Sequence, residues 1–150
     1  MISPPFQKAL DYAQQNLNHT GKLIKKSDGY VYLKVDDAYI SKLFPMLELK
    51  KEGFREIDNS RSKESPGAHI SVFYSDEHVK PQEMGDNFPF KLKQIKIATT
   101  AKNMSYVVLE VESPELENLR KKYGHSAKLH GHDFHISIGK KMVRWNYKNH

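Results

Sequence analysis

The run His69-Ile70-Ser71-Val72 returns almost unchanged as His135-Ile136-Ser137-Ile138. In an extended chain successive side chains alternate between two faces, so the first and third residues of each run share one face and the second and fourth share the other. Each run therefore reads as a strand with one apolar face, suited to a core, and one face carrying an imidazole and a hydroxyl about 7 Å apart. A strand of this kind belongs where one side meets packed side chains and the other meets solvent or a ligand. At this composition a tetrad of His, apolar, Ser or Thr, apolar is expected about 0.1 times per chain by chance, so a pair of them carries information.

The surroundings of the tetrads repeat as well. The first half predicts a strand over 30–35 and a helix from 37 to about 51, capped by Asp36 or Asp37, kinked at Pro45 and ended by Gly53. A short strand over 54–57, a polar loop over 58–66 and the first tetrad strand, 68–74, follow. The second half predicts a strand over 104–112, a helix over 114–123 opened by Ser113 and Pro114 and stopped by Gly124, a polar loop over 125–133 and the second tetrad strand, 133–139. Ahead of both halves, Phe6, Ala9, Leu10, Ala13 and Leu17 recur at helical spacing and predict an amphipathic helix over 4–17. Residues 18–29 read as a polar connection, 76–87 as a loop and 88–98 as one or two strands. The order is that of an α+β fold built from two similar units, related by a pseudo-twofold axis that brings the tetrads face to face.

Composition narrows the setting. One domain over 1–150 is expected, long enough to bury a core. Charged residues make up 28% and hydrophobic residues 38%, the balance of a globular rather than a disordered chain. No apolar run approaches a membrane span. The start, Met1-Ile2-Ser3-Pro4-Pro5, lacks the basic-then-apolar layout of a secretory leader. The absence of cysteine excludes disulfides, thiolate nucleophiles and Cys-ligated zinc, and suits a reducing, cytoplasmic location. A net charge of +6 favours an anionic partner such as RNA or a nucleotide.

Two His-x-Ser tetrads in equivalent strands of a two-lobed chain of this size resemble the 2H (two-histidine) phosphoesterase superfamily, whose members include RNA 2′,3′-cyclic phosphodiesterases and 2′,5′-oligoadenylate phosphodiesterases. The resemblance runs from about Tyr30 to Lys140. It implies two pseudo-symmetric lobes of antiparallel sheet, flanked by helices, around a central cleft. It implies that His69 and His135 are the acid–base pair, that Ser71 and Ser137 hold the phosphoryl oxygens, and that no metal or other cofactor takes part. The expected activity is hydrolysis of 2′,3′-cyclic or 2′,5′-linked phosphodiesters in RNA ends or small nucleotides.

The residue types suit that chemistry. Imidazole titrates near neutrality, so one ring can start neutral and take a proton from the nucleophile while the other starts protonated and gives one to the leaving oxygen. The two hydroxyls can donate to the non-bridging oxygens as charge develops there. Which histidine is the acid stays open. Around this quartet, Tyr74 and Phe134 are candidates for stacking a base, Lys140 for attracting phosphate, and His130 for approaching the cleft from its loop. The tail Arg144-Trp145-Asn146-Tyr147-Lys148 interleaves basic and aromatic groups suited to RNA or to packing on a sheet edge. Three rivals remain. His130, His132 and His135, with Asp133, have the spacing of a metal-binding cluster. A nucleotide-binding 2H module with little turnover would carry the same quartet. A basic nucleic-acid-binding domain would owe its affinity to charge alone.

Overall fold

Ser3 opens the first helix, α1 (Pro4–Asn16): its hydroxyl accepts from the Phe6 amide, and prolines fill the first turn, where an N–H has no intrahelical partner to lose. The computed structural model describes residues 3–57, 65–100 and 103–142; the 144–148 tail lies outside them. Ala9, Leu10 and Ala13 turn the buried stripe of α1 inward, as the spacing predicts.

The polar connection after α1 holds a strand, β1 (Thr20–Lys25). Only Gly21 and Leu23 are buried in it. A Cβ on Gly21 would come within 2.5 Å of the Lys34 carbonyl oxygen, so the close approach of the neighbouring strand requires glycine there and removes the apolar signal from the sequence. β2 (Val31–Lys34) follows. The single helix predicted over 37–51 is instead α2 (Ala38–Ser41), α3 (Leu43–Leu47) and a 3-10 turn at Lys50–Glu52. Pro45 explains the break: it has no N–H to offer the Ser41 carbonyl, and its ring crowds that carbonyl, so the first piece ends at Ser41. Asp36 accepts from the Ala38 amide, while Asp37 reaches away from the helix to the Ala68 amide.

The rest of the chain supplies β3 (Arg55–Glu56), β4 (His69–Phe73), β5 (Asn87–Pro89), β6 (Lys91–Thr99), β7 (Met104–Glu112), α4 (Pro114–Lys122) and β8 (His135–Met142). α4 opens as its sequence indicates, with the Ser113 hydroxyl accepting from Leu116 and acidic residues in the first turn. The strands form an antiparallel sheet of order β5-β1-β2-β4-β8-β7-β6, with the short β3 pairing β8 off this path. β4 and β8 meet through one registered pair, Ile70 opposite Ile136. That pair is the seam between two lobes. Each lobe is a hairpin, β1–β2 or β6–β7, followed by helix and then by a tetrad strand pairing with the hairpin's second strand. The pseudo-twofold arrangement holds, but the tetrads lie side by side on adjoining strands rather than facing each other across a gap. Ile70, Val72, Ile136 and Ile138 are fully buried on one face of the seam.

Arg120 of α4 ties the lobes together. Its guanidinium is almost wholly buried, donates to the Val72 carbonyl of β4 at 2.6 Å and to the Ser126 carbonyl, and pairs with Glu77 at 2.8 Å. It also lies over the Phe73 ring. A buried guanidinium is tolerated because these acceptors satisfy it. Among the described residues, no helix is long and apolar enough to cross a membrane.

Candidate active site

With Ile70 and Ile136 turned to the core, strand alternation turns His69, Ser71, His135 and Ser137 to the opposite face. Carried one residue to either side, the seam register sets Ser71 across from His135 and His69 across from Ser137. All four side chains are partly buried, neither sealed in the core nor open on the surface. A cavity of about 580 Å³, within the range of small-molecule sites, is lined by Ser71, His135 and Ser137, together with Tyr74, Tyr106, Glu110 and Lys96. A smaller hollow of about 110 Å³ adjoins it beneath Tyr74, His130 and His132. A larger hollow, about 860 Å³, lies elsewhere between Phe44 and Phe54; its lining is mainly apolar and, among the described residues, carries no histidine, serine or threonine.

Both imidazoles are held the same way. His69 Nδ1 lies 2.7 Å from the Gly67 carbonyl and His135 Nδ1 lies 3.2 Å from the Asp133 carbonyl. A carbonyl only accepts, so each Nδ1 carries the proton and each Nε2 is the nitrogen left to exchange one with a substrate. Gly67 has φ +63, and a Cβ there would collide with the Asp37 carboxylate, so the turn that presents its carbonyl to His69 requires glycine. Lys34 reinforces this turn by bonding the Asp37 carboxylate at 2.5 Å and the Val35 and Ala68 carbonyls.

The first lobe packs aromatic rings around its histidine. His69 does not line the cavity directly; its ring meets Tyr30 and Tyr32 edge-on, at centroid distances of 6.1 and 5.5 Å. Burial is the chief force holding its pKa below the ordinary histidine value; the bond to Gly67 opposes this, and positive charge on Lys34, His135 and Lys26 adds to it. The influence of His135 places the two imidazoles within electrostatic reach of each other. Tyr30 Oη is hydrogen-bonded to Ser71 Oγ. Burial pushes the Tyr30 phenol up to about 12, against the pull of Ser71, so it stays protonated at neutral pH.

The supporting residues divide. Tyr74 lines both hollows, stacks at 6.2 Å on Tyr30 and meets His130 edge-on at 4.8 Å. His130, in the left-handed region at φ 51, sits on the rim of the smaller hollow. Phe134 contributes to the wall of the smaller hollow but is only 3% exposed and packs in the core, so it offers little ring surface for stacking. A bulge between Val107 and Val108 puts Lys140 opposite Tyr106, on the tetrad side of the sheet, yet outside the cavity wall. Among the described residues no three His, Asp or Glu side chains are grouped as a metal would require, so the His130, His132, His135 spacing is not assembled into a ligand set.

Several residues at the site were not singled out from sequence. Tyr30, Tyr32 and Lys34 alternate along one strand, and that period-two pattern of polar tips was a usable signal. Glu110 interrupts the apolar run of β7 and lies directly opposite His135, 8% exposed, bonded to Gln94 at 2.7 Å and paired with Lys96 at 2.8 Å. Burial raises its pKa, but Lys96 and Gln94 outweigh that and keep the carboxyl below its ordinary value, hence ionised. Asp133, at the mouth, is held at about 2 by Lys128 and Lys93.

The family model described as Swiss Army Knife, 2H phosphoesterase domain, matches residues 31–144. No curated protein and no solved structure matches the chain.

Proposed function

The chain belongs to the 2H phosphoesterase superfamily, and from that premise we propose that it is a metal-independent phosphodiesterase of RNA ends or small nucleotides, hydrolysing 2′,3′-cyclic or 2′,5′-linked phosphodiesters. Phosphoester chemistry follows from the family; the substrate and the roles of single residues are the proposal. What carries it is the meeting of two Nδ1-anchored imidazoles and two hydroxyls on one sheet face at the edge of a nucleotide-sized cavity. One imidazole accepts the proton of the attacking water, and the other protonates the departing ribose oxygen. Ser71 and Ser137 donate to the non-bridging oxygens, where negative charge grows in the transition state. Tyr30, bonded to Ser71, fixes the direction in which that hydroxyl points. Tyr74 and His130 form a ring pair on the rim suited to a base, and Lys140 adds positive charge on the same side. These groups supply a proton acceptor, a proton donor and anion stabilisation, which is all that opening a strained cyclic diester demands. A cytoplasmic location goes with this reading.

The test is a product assay on 2′,3′-cyclic nucleotides, 2′,5′-linked oligomers and 3′-end-labelled RNA with EDTA present. The account expects turnover of at least one class to a phosphate monoester or trimmed end. Saturable nucleotide binding with no product, even with enzyme in excess, would overturn it in favour of a binding module.

A further inference from the structure

The carbonyl that meets His69 Nδ1 belongs to Gly67, and the next amide, Ala68 N–H, is the other half of the same peptide unit. A trans peptide unit is flat and its C=O and N–H point in opposite directions, so whatever grips the N–H also aims the C=O. The grip is a side chain from another part of the chain. Asp37 Oδ1 accepts from the Ala68 amide at 3.0 Å, and on the opposite side of that peptide the Gly67 oxygen lies 2.7 Å from His69 Nδ1. We propose that Asp37 is a positioning residue for His69: by holding the Gly67–Ala68 peptide in one orientation it keeps the ring's proton on Nδ1 and leaves Nε2 as the nitrogen that exchanges protons with substrate. The inference rests on the phosphodiesterase reading and adds to its machinery a residue outside both tetrads.

The peptide needs such a grip. Gly67 has φ +63, and glycine has no Cβ to resist rotation of the peptide that follows it. The Asp37 carboxylate lies directly against this glycine, where it would meet a Cβ. The far side of Ala68 is tied separately: its carbonyl accepts from the Val35 amide at 3.1 Å and from Lys34 Nζ at 3.2 Å. With that carbonyl fixed to β2, the bond from Asp37 fixes the peptide before it. Asp37 is available for the task because it gives up another. It stands at the N-cap of α2 and makes no side-chain cap bond there, while Asp36 bonds the Ala38 amide.

The carboxylate is itself secured. Lys34 Nζ bonds Asp37 Oδ1 at 2.5 Å. Burial pushes the Asp37 pKa up, but the bonds from Lys34 and the Ala68 amide outweigh it and hold the carboxyl below its ordinary value, hence ionised at neutral pH. A charged acceptor makes the stronger bond to an amide. The second lobe builds its turn otherwise. The Asp133 carbonyl lies 3.2 Å from His135 Nδ1, and the Asp133 carboxylate turns to Lys93 and Lys128. His135 therefore serves as an internal control for any change made at Asp37.

The tautomer matters whichever task His69 has. Held at Nδ1, the ring gains or loses a proton only at Nε2. Released from the carbonyl, a neutral imidazole in water carries its proton mainly on Nε2, and that nitrogen can then no longer accept one. A ring in the wrong tautomer is idle however well it is placed.

The experiment reads the tautomer of both imidazoles by long-range proton–nitrogen NMR in the full chain without substrate, at about pH 8, where imidazole is neutral. It is joined to kcat, KM and the urea midpoint. In the native chain both rings should carry the proton on Nδ1. In Asp37→Ala the His69 proton should move mainly to Nε2 while His135 stays as it is. There kcat should fall by up to about a hundredfold with KM little changed, because a misoriented reacting group costs turnover rather than binding. The Asp37 and Lys34 side chains are 57% and 35% exposed, and ion pairs so open to water add little to stability, so the urea midpoint should move little. Asp37→Asn keeps an oxygen for the Ala68 amide and should restore most of the Nδ1 form and most of kcat. Lys34→Met leaves the carboxylate without its cation and should act more weakly in the same direction; it serves where Asp37→Ala fails to fold. A native His69 protonated on Nε2, a tautomer unmoved by both Asp37→Ala and Lys34→Met, equal shifts in both rings, or a moved proton with kcat intact would overturn the proposal. The expected shift at His69 in a protein that turns over no phosphodiester would uphold the positioning and overturn the reaction assigned to it.

Discussion

The lobe that ends in β4 and the lobe that ends in β8 carry the same imidazole–hydroxyl pair on the same face of one sheet, and they support it differently. In the first, His69 lies between two tyrosine edges, its turn is locked by Gly67, Asp37 and Lys34, and Ser71 has a buried phenol as its partner. In the second, His135 and Ser137 border the open cavity, beside a carboxylate and a valine. Duplication repeats the imidazole–hydroxyl pair; the residues packed around the two copies have diverged. The ties between the lobes are unlike as well: Arg120, on the second lobe's helix, grips the backbone of the first lobe's tetrad strand through its side chain, whereas β3 of the first lobe pairs with β8 of the second through the backbone.

The sharpest break in the comparison is removal of either histidine. His69→Ala and His135→Ala should each lower kcat by about 10²–10⁴-fold, with circular dichroism unchanged. A variant that keeps more than a tenth of the activity would show that the halves do not share the reaction. Next comes the strap. Arg120→Met leaves the Glu77 carboxylate and the Val72 carbonyl without their partner, so urea denaturation should show a loss of about 3–5 kcal/mol. The serines should separate the lobes by stability: Ser71→Ala strips the buried Tyr30 hydroxyl of its partner and should cost about 1–3 kcal/mol, whereas Ser137→Ala should lower kcat with less effect on unfolding. Equal losses of stability would erase that distinction. The smallest effect concerns pH. Burial, with positive charge on its neighbours, lowers the His69 pKa, so an NMR titration should show this ring taking up its proton only below the ordinary value near 6.5. A midpoint above that value would contradict the burial of the first lobe's ring.

What could be read from the sequence was local. The tetrads, α1, β7 and α4 announce themselves through alternation, helical spacing and a capping serine, each visible within a dozen residues. β1 was hidden because its inward positions are Gly21 and Leu23, one of them without a side chain. The helix after β2 looked continuous because Ile40, Leu43, Phe44 and Leu47 keep helical spacing across the point where Pro45 deprives Ser41 of a donor. The site was harder still. Glu110 stands opposite His135 only through the register of two strands more than twenty residues apart, and Lys140 reaches the tetrad side only because a bulge shifts the parity of its strand. Such facts belong to pairing between distant segments, on which the local pattern is silent. The depth of Phe134 belongs to the same class of fact: its place beside His135 in the chain does not say how much of its ring the core covers.

The central claim is that both imidazole–hydroxyl pairs gather around one phosphorus. Titration of the protein with a nucleoside 2′-monophosphate, followed by NMR at the imidazoles of His69 and His135 and the amides of Ser71 and Ser137, tests it most directly. The account predicts that all four sites respond along one saturable curve at one ligand per chain; a response confined to one tetrad, or two independent curves, would contradict it.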